Sequence, residues 1–474
     1  MRQPRHAFCI ASGIAIAFLC LALRQGQPPP ARRRPIPPPD KIKIDCSQRI
    51  GKLRRMLGVN NGPTGMFGRD LTKPYKEMGV DFIRTHDFYG PTDLHEIFPD
   101  WKADPTDPKS YRFKSSDRRI KSIVDGGFNV FFRLGESWER PPEKYNVPPP
   151  DFEKCAEVCR RIVMHYNEGW ADGFHFGIKY WEIWNEPDIP KFWRGTPQQF
   201  YRFYELVAKK LKKHDPTLKV GGPASTGGLR REYLEDFLSY LKQHKVPLDF
   251  YSWHFYGGDA RTPQRMDKRV RATLKEAGFE KAESICNEWN WGLRGPRLRG
   301  AGNAAFTAAA LILFQDTSVS IQTRYRGDDH PLGMFRRDGK MDKSAYAYKA
   351  MRMMLDTPNR VRVTPPYGGP FAALAGLSAD GKRLSLLLAD YSPRERELSI
   401  EIGNFAEKAE KGALTIWVLD AEHDLVKLQS RPLSLKPSFT IEQELNCPTV
   451  QLLLFEIEPL RGQSKPTAAK VKAE

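Results

Sequence analysis

Between residues 56 and 325 one pattern of apolar and polar positions recurs: a short apolar run, a polar break, then a stretch of helical period. The apolar runs predict strands at 56–60, 81–85, 129–134, 180–185, 219–222, 249–254, 284–287 and 318–325. Pro197–His214, 231–244 and 303–315 carry the helical period. Strands alternating with helices argue for parallel sheet, and eight such strands can close a barrel. From about residue 360 the helical period disappears. Short alternating runs at 383–388, 398–402, 414–418 and 449–457, separated by turn residues, predict a small antiparallel β-domain. Residues 41–46 alternate as well and predict a lone strand that pairs with this far-end sheet. The expected fold class is therefore α/β: a (β/α)8 TIM barrel over 41–358, then an accessory antiparallel β-sandwich over 359–460, with 41–50 joined to the latter. No internal repeat is visible.

The two ends read differently. Arg2 and Arg5 precede an uninterrupted apolar run at 7–23, the pattern of a secretory signal over 1–26. The run is at the short limit for a membrane span and no clean Ala-x-Ala site follows, so an uncleaved N-terminal membrane anchor is the alternative. Either way the expected location is outside the cytoplasm: secreted, periplasmic or membrane-anchored facing outside. Residues 27–40, with their Pro-Pro-Pro clusters, read as a stiff solvated linker. Residues 461–474 read as a disordered tail.

Composition adds bounds rather than identity. The chain has 474 residues, 40% hydrophobic and 28% charged, an ordinary globular balance. Lys and Arg total 75 against 57 Asp and Glu, a net charge of +18. A basic surface suits an acidic polysaccharide, an anionic envelope or nucleic acid, or is simply an arginine-rich solvated exterior. No Lys/Arg run is interleaved with aromatics, which argues against nucleic acid as a partner. Beyond Cys9 and Cys20, Cys46, Cys155, Cys159, Cys286 and Cys447 form no disulfide framework. Cys155 and Cys159 stand one helical turn apart but lack a second ligand pair at metal spacing, and read as buried thiols. Oligomeric state leaves no mark on the pattern.

The candidate chemistry sits where two strands stop. Tyr180-Trp181-Glu182-Ile183-Trp184-Asn185-Glu186-Pro187 is an apolar strand broken by a proline, which puts Asn185 and Glu186 at its carboxyl end, where barrel enzymes keep their chemistry. Flanking by Trp181 and Trp184 should raise the proton affinity of Glu186. A second strand ends in Cys286-Asn287-Glu288-Trp289-Asn290. The interval between the glutamates leaves room for about three strand–helix units of ~30 residues. Asn287 and Asn290 could donate to Glu288 and keep it ionised. His86 ends the second strand; His254 and Tyr256 end the sixth, with Tyr256 placed to donate to Glu288. Trp138, Trp289 and Trp291 could pack against sugar faces or be core. Arg294, Arg297 and Arg299 follow the seventh strand, and Arg324 and Arg326 end the eighth. Guanidinium forks there would grip a uronic acid, or they are surface loop residues.

Trp184-Asn185-Glu186-Pro187 with a later Asn287-Glu288-Trp289-Asn290 resembles the glycoside hydrolases of clan A, and most resembles family 39, which holds β-xylosidases and α-L-iduronidases. The likeness covers about 42–460; the second motif departs from the Thr-Glu-Tyr-Asn form of the xylosidases. The resemblance implies retention by double displacement, with Glu186 as acid/base and Glu288 as nucleophile. It also implies a substrate 2-hydroxyl bound by Asn185 and a subsite ligand at His86. The substrate would be an oligo- or polysaccharide, β-xyloside being the best single guess. A uronidase, an endo-acting cellulase or mannanase, and a catalytically silent carbohydrate-binding protein are the alternatives. The presence of both glutamates argues against the last. No cofactor and no metal is implied, because paired carboxylates need none.

Overall fold

The structure, a computed structural model, describes residues 37–457 except 89, 138–145, 227–230, 294–297 and 409. The expectations for the signal segment, most of the linker and the tail lie outside the described residues. The first strand, β1 (Lys41–Lys52), precedes the barrel. The closed barrel is formed by β2 (Gly58–Asn60), β3 (Phe82–Arg84), β4 (Asn129–Leu134), β5 (Tyr180–Ile183), β6 (Lys219–Ser225), β7 (Phe250–Tyr256), β8 (Glu283–Asn290) and β9 (Val319–Arg324). All eight are parallel, and β2 closes on β9. Each barrel strand overlaps a predicted apolar run, because a strand covered on both faces must be apolar throughout.

Side-chain alternation sorts the strands into an inside and an outside. Phe131, Phe250, Ile285 and Ile321, with Phe82 and Tyr180, fill the lower barrel. Trp181, Ile183, Trp253 and Phe255 face the surrounding helices. Above the aromatic floor the interior turns polar: Asn60, Arg84, Glu182, Ser252 and Asn287 are all fully buried. Such residues survive in a core only when mutually bonded, and they form the base of the site below.

The C-terminal domain adds β10 (Asn359–Thr364), β11 (Tyr367–Gly368), β12 (Phe371–Leu377), β13 (Arg383–Asp390), β14 (Arg396–Gly403), β15 (Glu410–Leu419), β16 (Asp424–Leu435), β17 (Ser438–Leu445) and β18 (Thr449–Ile457). They form one mostly antiparallel sheet in the order β16-β15-β18-β13-β12-β10-β1-β14-β17. The chain's early strand β1 lies between β10 and β14, parallel to the latter. The two layers of the sandwich come from this single sheet doubling over: Phe439 of β17 meets Phe455 of β18 edge-on at 6.0 Å, although five strands separate them in the ladder. The doubled sheet encloses Ile42, Ile44, Leu386, Ile400 and Leu453. Its other face, with Leu374, Leu387 and Leu452, joins the barrel core. The helix Gly300–Phe314 is caught between barrel and sheet, which is why it is apolar and buried on nearly every side.

Candidate active site

Two local departures from regular strand geometry build the site. After β5, alternation alone would turn Trp184 inward. Its φ of 71° instead sends the ring out, where Nε1 donates to Phe192 O at 3.0 Å and the indole meets Trp193 edge-on at 5.2 Å. Asn185 and Glu186 then both face the barrel axis, Glu186 itself at φ 46°. Left-handed conformations on non-glycine residues cost of order 1 kcal/mol or more each, and cluster where side chains must be aimed. On β8 the register against β7 slips between Cys286 and Glu288. This bulge points Asn287 and Glu288 inward in succession, as bulges beside active sites do.

The result is two carboxylates facing each other across the barrel mouth. Nδ1 of His254 and Oε1 of Glu186 lie 2.7 Å apart and share one hydrogen. The same Nδ1 is 3.8 Å from Oε2 of Glu288. One carboxylate oxygen each of Glu186 and Glu288 and one ring nitrogen of His254 lie within 4.8 Å of one another. Tyr256 donates its hydroxyl to Glu288 Oε1 at 2.5 Å. Arg84 Nη1 donates to Glu288 Oε2 at 3.1 Å, and Nη2 to Asn185 Oδ1 at 2.7 Å. Asn185 Nδ2, His86 Nδ1 and His254 Nε2 have no partner among the described residues.

Electrostatics separate the two acids. Burial, followed by the nearby Asp188 charge, pushes the Glu186 carboxyl up to about 8. Glu288 is also raised by burial, and by Glu186, but His254, Arg84 and the Tyr256 hydroxyl pull it back. Burial depresses His254 to about 4, so the imidazole beside Glu186 is neutral near pH 7. The rise at Glu186 was expected from Trp181 and Trp184; its cause is burial, since both indoles face the helix layer. The expected donors to Glu288 also differ. Asn287 donates to Glu182 and Asn290 to Tyr325 O; Tyr256 donates to Glu288 as expected, and Arg84 takes the place of the two asparagines.

A fold of this kind with this constellation has relatives. The family model for Glycosyl hydrolases family 39 matches residues 42–295, more than half of the chain. The chain belongs to glycosyl hydrolase family 39. A β-xylosidase of Geobacillus stearothermophilus is 30% identical over 268 residues, 48% of this chain and 51% of that protein. A β-xylosidase of Caldicellulosiruptor saccharolyticus is 27% identical over 283 residues, 53% and 55% of the two. The match thus spans about half the length of these curated relatives. The solved structure of a glucosidase from Croceicoccus marinus is 29% identical with a TM-score of 0.77, covering 89% of this chain and 99% of that one. A β-xylosidase structure from Caulobacter crescentus, 16% identical with a TM-score of 0.69 over 88% and 100% of the two chains, shares the fold. The family is described as one of glycosyl hydrolases.

Not every predicted residue lines the family 39 cleft. Asn185, His86, His254 and Tyr256 gather at the mouth with the two glutamates, whereas Trp138 lies outside the described residues. Trp289 is a correction. Un-bulged alternation from the inward Ile285 would point it into the barrel, but the bulge at Asn287–Glu288 turns it out. There it stacks on Phe255 at 6.2 Å and donates Nε1 to Gln322 Oε1 at 2.5 Å. Trp289→Ala is expected to cost about 3–5 kcal/mol of stability, as large core truncations do, with KM unchanged. Denaturant unfolding beside steady-state kinetics checks this, and a KM effect without a stability loss would return Trp289 to the cleft. Arg324 is a second correction. It follows the inward Thr323, so it faces out, where its guanidinium donates to Asn303 Oδ1 at 2.8 Å and to Arg326 O at 3.2 Å. Arg299 donates to Asp342 at 2.5 Å and Arg326 forms a two-pronged pair with Asp328 at 2.9 and 2.8 Å. Trp291 stacks on Phe306 at 5.3 Å and meets Tyr391 of the C-terminal domain.

Sequence reasoning passed over Arg84 and Glu182. The signal was present: a charged residue inside an apolar barrel strand needs a buried partner.

Proposed function

We propose that the chain is a retaining glycosidase of β-xylosidase type, with Glu288 as nucleophile and Glu186 as acid/base. The observation that carries this reading is the approach of the two carboxylates, one oxygen of each lying within 4.8 Å of the other. About 5–5.5 Å is the separation of retaining pairs, whereas ~6.5 Å or more leaves room for an inverting water. In the first step Glu288 attacks the anomeric carbon while Glu186 gives its proton to the departing oxygen. In the second, ionised Glu186 takes a proton from water, which attacks the same carbon and frees Glu288. Protonation of Glu186 at neutral pH, from its value of about 8, suits the first role. Asn185 Nδ2, unpartnered and beside Glu186 in sequence, is the donor a 2-hydroxyl would take.

A neutral glycone fits better than a uronic acid. Of the five arginines considered as carboxylate grips, Arg299, Arg324 and Arg326 are committed to protein acceptors, and Arg294 and Arg297 lie outside the described residues. The 29% identity to a glucosidase structure over nearly the whole fold favours a glucoside as the second reading. A panel of aryl xyloside, glucoside, arabinoside, glucuronide and iduronide tests both. Turnover of the xyloside or glucoside, with the uronides inert, is expected. Turnover of a uronide alone would overturn the glycone assignment, and turnover of none would point to an endo-acting enzyme.

A further inference from the structure

Glu182 takes no part in the steps above, yet its carboxylate is fully buried beneath them. Oε2 accepts from Arg84 Nε at 2.7 Å, with Nη2 also 2.7 Å away. Oε1 accepts from Ser252 Oγ at 2.6 Å and from Asn287 Nδ2. Those donors come from β3, β7 and β8, so the carboxylate ties together four of the eight barrel strands, its own included. Arg84 then reaches Glu288 with a single, longer contact of 3.1 Å, and its remaining hydrogens go to Asn60 and Asn185. One guanidinium therefore stands between two carboxylates in a site with little solvent to screen it, and it is closer to the lower one.

We infer that Glu182 is a positioning residue that holds the Arg84 guanidinium on its own carboxylate and so keeps it from pairing fully with Glu288. The inference rests on the assignment of Glu288 as nucleophile made above. A guanidinium released from Glu182 would close on Glu288 as a two-pronged, charge-assisted pair. A carboxylate so paired is a weaker base and a poorer nucleophile. Asn60 and Asn185 still accept from Arg84 when Glu182 loses its charge, so what changes is the division of charge. The other groups that face Glu288 are Glu186 after β5, His254 and Tyr256 on β7, and Tyr325 after β9. His254 also feels the Glu182 charge.

The test is the pH dependence of inactivation by a 2,4-dinitrophenyl 2-deoxy-2-fluoro-glycoside of the sugar the protein turns over. In that reaction Glu288 bonds to the anomeric carbon and dinitrophenolate departs with the electron pair of the broken C–O bond. No proton donor is needed, so the acid limb reports the nucleophile alone, and the mass of the labelled peptide names the residue attacked. Glu182→Gln is expected to lower the midpoint of that limb by about one pH unit and to slow inactivation at pH 7. Ser252→Ala removes a donor from Glu182, makes it draw harder on Arg84, and is expected to raise the midpoint. If Glu182→Gln does not fold, the sign of the Ser252→Ala shift decides. Midpoints that stay put, or shift opposite to these signs, overturn the inference while the label on Glu288 upholds the nucleophile. A label on another residue overturns the nucleophile assignment and the inference with it.

Discussion

Glu288→Gly is expected to lower kcat/KM by about 10⁴-fold or more on every substrate turned over, since a covalent step has no substitute once its nucleophile is gone. The loss should have a specific remedy. Azide can occupy the space left by the side chain and attack an activated aryl glycoside from the Glu288 side, releasing a glycosyl azide of inverted anomeric configuration. Tyr256 and Arg84, which donate to Glu288 at 2.5 and 3.1 Å, would remain to bind the anion. Product configuration by NMR is the measurement. An azide of retained configuration from this variant would exchange the roles of the two glutamates, and full activity without azide would place the nucleophile elsewhere.

Glu186→Ala is expected to behave differently because an acid matters only in proportion to the need for a proton. With an unactivated aglycone kcat/KM should fall by roughly 10²–10⁴-fold, the usual contribution of general acid catalysis. With dinitrophenolate as leaving group the first step should hardly change, and slow breakdown of the glycosyl-enzyme should lower kcat and KM together. Azide should here give a product of retained configuration. The pH profile supplies a second readout. Glu186 must carry a proton in the free enzyme, and burial puts its pKa at about 8, so wild-type kcat/KM should fall as pH rises through that value. The alanine variant should lack this basic limb. A limb that persists unchanged would assign it to another group.

Much of this was legible because the relevant signals are local. Barrel strands announced themselves as apolar runs, since both their faces are covered. Pro187 marked where β5 had to stop and so placed Glu186 at the mouth. Tyr256 could be placed beside Glu288 because β7 alternates without interruption: Ser252, His254 and Tyr256 all bond inside the barrel. One error arose where alternation breaks, the other where alternation was not followed to the strand's end. Trp289 reads as a cleft residue because an indole packs well on a sugar face, but one inserted residue at Asn287–Glu288 exchanges the sides of Glu288 and Trp289. Arg324 was read from its position at a strand end, yet its neighbour Thr323 holds the inward place by donating to Asn287 O at 2.6 Å.

The sequence by itself determined the alternating α/β architecture, the β-rich end, and two glutamates at the ends of the fourth and seventh barrel strands. Hydrophobic period, a strand-breaking proline and motif resemblance are all properties of short stretches. Only the tertiary structure decided which side of a bulged strand each residue faces, how near the two carboxylates approach, and which cations are already spent. Those depend on contacts between residues far apart in the chain: Arg84 with Glu182 and Glu288, His254 with Glu186, and β1 with β10 and β14. A local pattern carries no information about its distant partner, and the Glu186 shift to about 8 arises chiefly because folding removes water from around it.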